Sequence, residues 1–276
     1  PSAIPHSVQE GHTEVIVPEA MSLARIAQTV RSFAEAAQRA ERAGFDAVEI
    51  HAAHGYLISQ FLNPIENRRD DAYGGLLENR ARFTLEVTRA VKAAVPGLAV
   101  IVRINGDDFF EGGMTRDEAV TLAAWAAQAG ADAIHVTGGH YRSQPTAAIM
   151  IPPMATAKTP FLGFAEAVKR KVSIPVVSVG RFGDPAEAAR AIAAGKVDFI
   201  ALGRPLLADP DWVAKAERGE EVRRCIACNT CVDGMREGRQ LHCLVNPLAG
   251  REAHLPRPVP LSSGRKIAVL GAGPAG

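Results

Sequence analysis

Four cysteines that lie close together in the sequence carry the clearest chemical signal. They follow the pattern Cys225-x2-Cys228-x2-Cys231-x11-Cys243. Three closely spaced thiolates can surround a compact centre that a fourth completes, which is typical of a [4Fe–4S] cluster. Zinc also takes four cysteines, although usually from two separated Cys-x2-Cys pairs, and a third interpretation leaves the cysteines unliganded. The triple spacing favours the iron–sulfur cluster.

A second group, His51, His54 and Tyr56, comes directly after a short apolar run. Two histidines three residues apart can point the same way and donate hydrogen bonds to one carbonyl oxygen or oxyanion, or bind a metal. Tyr56 adds a phenolic acid nearby. The alternative interpretation is that a histidine at the end of a strand caps backbone groups.

Two Gly-Arg pairs, Gly180-Arg181 and Gly203-Arg204, end the last two apolar runs. Backbone amides and an arginine suit a phosphate dianion, and Thr137-Gly138-Gly139 could add further amides. The alternative is that each arginine forms a salt bridge with a neighbouring loop. We predict a phosphate site at the ends of these runs.

Two further signals stand apart from these groups. Arg103 lies inside an apolar run, where a cation is costly unless it is paired, so we expect it to meet a carboxylate or an electron-rich ring. Gly271, Gly273 and Gly276 follow another apolar run in the Gly-x-Gly-x-x-Gly pattern of dinucleotide-binding folds. The helix that would complete this fingerprint lies beyond Gly276, so we expect this chain alone not to bind the nucleotide.

The elements that must position these residues are short apolar runs that alternate with alanine-rich helical segments. The runs are 45–50, 98–104, 132–136, 174–179 and 198–202. Such βα units in series predict an α/β fold with a parallel sheet covered by helices. In a (β/α)8 barrel the active site lies at the carboxyl ends of the strands, where the residues above occur. An open sheet is the alternative; we favour an incomplete barrel with its first three strands missing.

Two helix starts can be read directly from the sequence. Thr115 with Glu118 forms a capping box. Asp184 before Pro185 gives an N-cap followed by a proline in the first turn of the next helix.

The composition excludes several classes of protein. The chain has 276 residues, of which 47% are hydrophobic and 22% charged, and this is globular rather than disordered. A net charge of +1 gives no argument for nucleic acid or a membrane surface as partner. The apolar runs fall short of the roughly 18–20 residues that span a bilayer. Clustered cysteines favour a metal site in a reducing compartment, so we expect a cytoplasmic protein whose oligomeric state is open.

Taken together, these segments resemble the Old Yellow Enzyme family of flavin oxidoreductases, and the similarity covers essentially the whole chain. The segments that are similar to the family are 44–64, 67–83, 176–182 and 201–210. The cysteine segment 225–247, followed by 266–276, is similar to the long iron–sulfur branch that includes 2,4-dienoyl-CoA reductase and trimethylamine dehydrogenase.

The resemblance implies an eight-stranded barrel that holds FMN, of which this chain supplies strands four to eight. It divides the chain into 1–215, the C-terminal part of the FMN-binding barrel; 216–262, the iron–sulfur segment and linker; and 263–276, the start of an FAD- or NAD(P)-binding domain. We expect the chain to be cut at both ends, because it begins at Pro1 without a methionine and stops at a glycine fingerprint.

The resemblance also implies a role for each candidate residue. His51 and His54 would hold the substrate's activating oxygen, Tyr56 would give a proton to the α-carbon, and His140 would pair with that tyrosine. Arg103 would lie beside the N1/O2 edge of the flavin. The FMN phosphate would be bound by Gly180, Arg181, Gly203 and Arg204, and the cluster by Cys225, Cys228, Cys231 and Cys243.

The implied reaction is the reduction of an activated C=C bond, in an enone or an enoyl thioester, by hydride from FMN N5. Electrons would come from NAD(P)H through FAD and a [4Fe–4S] cluster in the full-length protein. An amine dehydrogenase on the same scaffold is one alternative. An inactive fragment that retains only the cluster site is the other.

Overall fold

The computed structural model describes residues 1–4, 17–143, 146–255 and 268. The first group of elements is α1 Leu23–Arg42, β1 Ala47–Ala52, α2 Leu57–Leu62, α3 Leu77–Ala94, β2 Ala99–Asn105, α4 Arg116–Gln128 and β3 Ala133–Thr137. The second is α5 Thr146–Met150, α6 Leu162–Lys169, β4 Val176–Val179, α7 Pro185–Ala193, β5 Phe199–Ala201, α8 Arg204–Ala208, α9 Trp212–Arg218 and α10 Thr230–Arg236. Gly271, Gly273 and Gly276 lie outside the described residues.

The five strands form one parallel sheet in the order β1-β2-β3-β4-β5. Each strand pairs with the next strand along the chain, which is the arrangement of consecutive strands in a (β/α)8 barrel. A doubly wound open sheet would instead reverse its strand order at a switch point. The predicted parallel α/β sheet is therefore confirmed, and its order is that of a barrel sector.

The predicted helix starts are also confirmed. Thr115 and Glu118 form a reciprocal capping box at α4, and the Asp184 carboxylate accepts from the Ala186 amide ahead of α7. One strand differs from its prediction: β1 begins two residues later than expected and contains His51. His51 therefore lies within the strand, and the two-residue period of the strand sends its side chain to the face opposite Ile50.

The two faces of the sheet have different chemistry. One face packs under the helices with buried aliphatic residues, including Ile50, Val100, Val102, Ile104 and Ile134. The opposite face carries polar side chains at alternate positions: Glu49, His51, Arg103, His135 and Thr137. Within the described ranges, no helix combines the length and apolar character needed to cross a membrane.

In two of the βα units, an aspartate just before a strand forms hydrogen bonds at the amino end of the sheet. The Asp132 carboxylate accepts from the Val100 amide at 2.7 Å and from the Lys92 ammonium at 2.9 Å. The Asp198 carboxylate does the same for Val176 at 2.7 Å and Lys169 at 2.8 Å. Each carboxylate therefore ties two neighbouring strands to the preceding helix.

We predict that Asp198→Asn lowers the free energy of unfolding at pH 7 by about 1 kcal/mol, since it removes a charge-assisted hydrogen bond at a partly exposed site. Burial raises the pKa of Asp198, but the Lys169 ammonium and the Val176 amide outweigh it, and the pKa lies below its usual value. The native state thus favours the ionised carboxylate, and its stabilisation is lost as the pH falls from about 4 through the folded-state pKa.

Urea unfolding from pH 7 to pH 3 measures this effect. Asp198→Asn should show a shallower acid loss of stability than the wild type. Asp117→Asn is the control, because the Asp117 side chain is 92% exposed. Identical acid profiles for the wild type and Asp198→Asn would contradict the prediction.

Candidate active site and cysteine centre

A cavity of about 640 Å³ opens at the carboxyl ends of the strands. Several of the residues predicted from the sequence line it: His54, Tyr56, Arg103, Thr137, Gly180, Arg181, Gly203, Arg204 and Cys225. These residues are far apart in the sequence, and the parallel order of the strands brings them to one end of the sheet.

The His51, His54 and Tyr56 side chains form a contiguous group, of which His54 and Tyr56 line the cavity and His51 does not. The ring centroids of His51 and His54 are 5.2 Å apart, and those of His51 and Tyr56 are 5.1 Å apart. The Tyr56 hydroxyl lies 2.8 Å from the hydroxyl of Tyr141, which also lines the cavity. The three predicted side chains therefore lie together, and the phenol of Tyr141 lies beside them.

His54 is held in a conformation that residues with a Cβ rarely adopt, with φ at +65°. Its amide donates to the Asn105 side chain at 3.2 Å, and its Nε2 lies 3.0 Å from the Thr137 hydroxyl. Left-handed backbone at a non-glycine residue costs on the order of 1–3 kcal/mol and is typical of functional sites. Burial, followed by the nearby Arg103 cation, lowers the pKa of His54 to about 3. His54 is therefore neutral at pH 7 and able to hydrogen-bond without carrying a charge.

Arg103 has a carboxylate partner, as its position in an apolar run predicts. Glu49, two residues before His51 on β1, lies 3.8 Å from Arg103 Nη1 and 2.7 Å from His135 Nδ1. Burial is the largest influence on the Glu49 carboxyl and opposes ionisation, yet His135 and Arg103 hold its pKa below the usual range. The Nε atom of Arg103 is buried and lacks a partner among the described residues.

The structure differs from the prediction for His140. Its ring is fully buried, outside the cavity lining, and Tyr141 rather than His140 reaches Tyr56. His140 Nδ1 accepts from the Arg142 amide at 3.0 Å, so Nε2 is the protonated nitrogen that donates to Glu66 at 3.0 Å. His140 therefore acts as a support beneath the loop that carries His54.

The structure also differs from the prediction for Gly138 and Gly139. The Gly139 amide already donates to the Asp107 carbonyl at 3.0 Å, so it is not available to a phosphate. A Cβ at Gly138 would come within 2.8 Å of the Phe161 and Phe109 rings, and one at Gly139 within 2.7 Å of Ile149. Close packing at both positions, together with the left-handed backbone of Gly139 at φ +89°, therefore accounts for the two glycines, and neither lines the cavity.

The two Gly-Arg pairs lie at the cavity as predicted. Arg181 adopts a left-handed backbone with φ at +58°, and it follows Gly180 at +105°. A Cβ at Gly203 would meet no atom within 4 Å, so the backbone there is open to a ligand. Arg204 lines the cavity, but its Nη1 atom is bound to the Pro152 carbonyl at 3.0 Å and to the Asn229 side chain.

The four cysteines line one small second cavity. All four are free thiols. Two of the sulfurs accept hydrogen bonds: Cys225 from the Ala227 amide and Cys228 from the Thr230 hydroxyl, each at 3.4 Å. In the described part of the chain, no three His, Cys, Asp or Glu side chains are spaced to hold a metal ion. The cysteines therefore share a cavity, and the metal that they would bind stays a prediction.

Several residues of the site were missed from the sequence. Glu49, Glu66 and Tyr141 become significant only through partners 86, 74 and 85 residues away. For Tyr141, the one available signal was its place directly after the Thr137–His140 segment. Nothing in the local sequence distinguished the two glutamates.

Comparison with known proteins identifies the family to which the chain belongs. The pattern of the NADH:flavin oxidoreductase / NADH oxidase family matches residues 1–222. This chain belongs to that family, whose relatives are flavin-dependent oxidoreductases, and the resemblance stated above is confirmed.

One relative is the NADH oxidase of Thermoanaerobacter brockii, which is 41% identical over 94% of this chain and 40% of its own. Solved structures of similar fold include a 2-naphthoyl-CoA reductase bound to 2-naphthoyl-CoA, with a TM-score of 0.84 and 28% identity over 92% of this chain and 38% of that one. A histamine dehydrogenase from Rhizobium sp. 4-9 has a TM-score of 0.77 and 32% identity over 85% of this chain and 34% of its own. The chain spans about 40% of the length of the curated relatives it matches.

We predict that Gly55→Ala destabilises the protein by about 1–3 kcal/mol more than Gly44→Ala. Both glycines have nearly the same left-handed φ, +83° and +82°, so both substitutions carry the same backbone strain. A Cβ at Gly55 would lie 2.7 Å from the buried His140 ring, whereas one at Gly44 meets nothing within 4 Å. Chemical denaturation of the two variants isolates the clash, and equal losses would show that His140 does not support this loop.

Proposed function

We propose that the full-length protein is an FMN-dependent reductase of activated C=C bonds. One observation carries this proposal: a phenol, Tyr56, and an imidazole, His54, line a cavity with the Arg103 guanidinium, and the His51 ring lies against both. That set supplies a proton donor, hydrogen bonds for a developing oxyanion, and a cation for an electron-rich ring.

The chain's own residues suit FMN. The buried Arg103 Nε has no partner among the described residues and could donate to the edge of the flavin. Arg181, with the open backbone at Gly203, suits the phosphate. When bound, FMN supplies the hydride. Arg103 would hold the ring, and Gly180, Arg181, Gly203 and Arg204 would hold the phosphate.

The substrate's activating oxygen would lie within reach of His51 and His54. Burial, with the nearby Arg103 cation, lowers the pKa of both imidazoles. Neutral imidazole N–H groups can stabilise the negative charge that develops on this oxygen without being titrated at pH 7. Tyr56 then gives its phenolic proton to the α-carbon. The Tyr141 hydroxyl, 2.8 Å away, is placed to stabilise the phenolate that remains.

The two imidazoles favour a carbonyl acceptor over an amine, because the N–H groups of His51 and His54 can stabilise a developing oxyanion. We therefore propose an enone or enoyl thioester substrate, and amine oxidation, which the similarity to histamine dehydrogenase suggests, is the second candidate.

We propose that the four cysteines hold a [4Fe–4S] cluster, on the strength of their spacing, their shared cavity and the donors that reach their sulfurs. In this proposal 1–215 is part of the FMN barrel, 216–262 the cluster segment, and 263–276 the start of a domain for FAD or NAD(P)H. Electrons would pass from NAD(P)H through FAD and the cluster to FMN. Free clustered thiols suit the reducing cytoplasm.

Absorption spectra with flavin, iron and zinc analysis of the anaerobically purified full-length protein test the cofactors. We expect a flavin band, a broad cluster band and about four irons per chain. Cys231→Ser should lower the iron content and leave the flavin content unchanged. Zinc with no flavin would contradict both assignments.

For the reaction, we predict that Tyr56→Phe slows alkene reduction by roughly 10²–10⁴-fold, the usual contribution of a positioned general acid. Flavin reduction by NAD(P)H should change less than about twofold, because no proton passes through Tyr56 in that half-reaction. The two half-reactions are measured separately by stopped-flow absorbance.

Tyr73→Phe is the matched control, since the Tyr73 hydroxyl donates to Glu86 at 2.9 Å and Tyr73 is outside the cavity lining. It should leave both half-reactions unchanged. Oxidation of amines by a protein that reduces no enone or enoyl thioester would favour the second candidate.

A further inference from the structure

Arg204 belongs to two sites at once. It lines both the large cavity and the small cavity of the cysteines, and Cys225 is the other residue that the two linings have in common. Burial lowers the pKa of Arg204, and the thiols of Cys225, Cys231 and Cys228 oppose this shift. One guanidinium therefore borders both the large cavity and the four thiols.

Asn229, between the second and third cysteines, connects this guanidinium to the backbone. Its Oδ1 accepts from Arg204 Nη1, and its Nδ2 donates to the Ile151 carbonyl at 2.8 Å. Arg204 Nη1 also donates to the neighbouring Pro152 carbonyl at 3.0 Å. Asn229 itself is left-handed, with φ at +63°, a conformation that asparagine tolerates better than most residues. The two side chains thus fasten the cysteine segment to the loop at 151–152.

Arg204 is also the cation of the cysteine cavity. Apart from Arg204, the four thiols and Asn229, the described residues that line this cavity are aliphatic: Leu207, Ile226, Leu244 and Val245. A centre of iron and sulfide held by four thiolates carries net negative charge, and in apolar surroundings such charge requires compensation. Of the described lining residues, Arg204 alone has a positive charge to supply.

We propose that Arg204 and Asn229 form a latch that holds the cysteine segment against the large cavity. We also propose that the Arg204 charge sets the reduction potential of the centre bound by the four cysteines. The second half rests on the proposed iron–sulfur cluster. The first half does not, because the latch consists of contacts within the protein.

Thiol alkylation in the metal-free full-length protein tests the latch. We expect Asn229→Ala and Arg204→Gln to raise the alkylation rate of the cysteines at least about fivefold, because the segment then leaves the barrel more often. Arg218→Gln is the control: it removes an exposed cation on α9 that pairs with Glu220. Rates equal to the wild type in both variants would overturn the docking role, whichever metal the protein binds.

Redox titration of the iron-loaded protein, followed by electron paramagnetic resonance, tests the charge. Loss of a nearby cation makes reduction harder, so Arg204→Gln should shift the midpoint potential to a more negative value, and Arg204→Lys should restore it towards the wild type. Asn229→Ala keeps the charge and is the second variant if Arg204→Gln fails to fold. Its potential should stay close to the wild-type value, and a clear negative shift in this variant would contradict the electrostatic role. An unchanged potential in Arg204→Gln would overturn the electrostatic role.

These outcomes separate the proposal from the proposed function. If the full-length protein binds zinc, the cluster assignment fails and the alkylation result still stands. If alkene reduction fails while iron binds, both experiments remain valid, since neither measures turnover.

Discussion

The carboxylate of Glu49 is the group on which the polar face of the sheet depends. One of its oxygens lies 2.7 Å from His135 Nδ1, and the other lies 3.8 Å from Arg103 Nη1. Glu49 therefore links three neighbouring strands through their side chains. An arginine in a barrel interior is tolerable only with compensation of this kind. Burial, followed by the field of Arg103 held there, keeps His54 neutral. The protonation state of His54 at the cavity therefore depends in part on an ion pair within the sheet.

This dependence explains which features could be predicted from the sequence. Strands, capped helix ends and the cysteine spacing are local patterns, and each depends on residues within about twenty positions of one another. The structure agrees with the sequence at Thr115, Asp184 and the strand order. It also brings the distant Gly-Arg pairs to one cavity, because parallel strands place their carboxyl ends together.

The features that escaped prediction are long-range side-chain contacts. The burial of His140 against Glu66 depends on how two loops fold over one another, and no spacing rule describes that contact. The same holds for the packing that requires Gly138 and Gly139, where a glycine-rich pattern typical of phosphate loops instead accommodates Phe161 and Ile149. Tyr141 lines the cavity and His140 does not, because the two adjacent side chains point in different directions, and that of His140 is buried.

The carboxylates of Asp132 and Asp198 lie at the amino ends of the strands, and the large cavity lies at the other end. In β2 to β5, the contacts that hold the strands together thus lie at the end opposite to the cavity. Substitutions at the cavity mouth can accumulate without disturbing the contacts that hold the units in register. A scaffold built on this plan can change its substrate while its strand contacts stay the same, and the solved structures similar to this chain include both a 2-naphthoyl-CoA reductase and a histamine dehydrogenase.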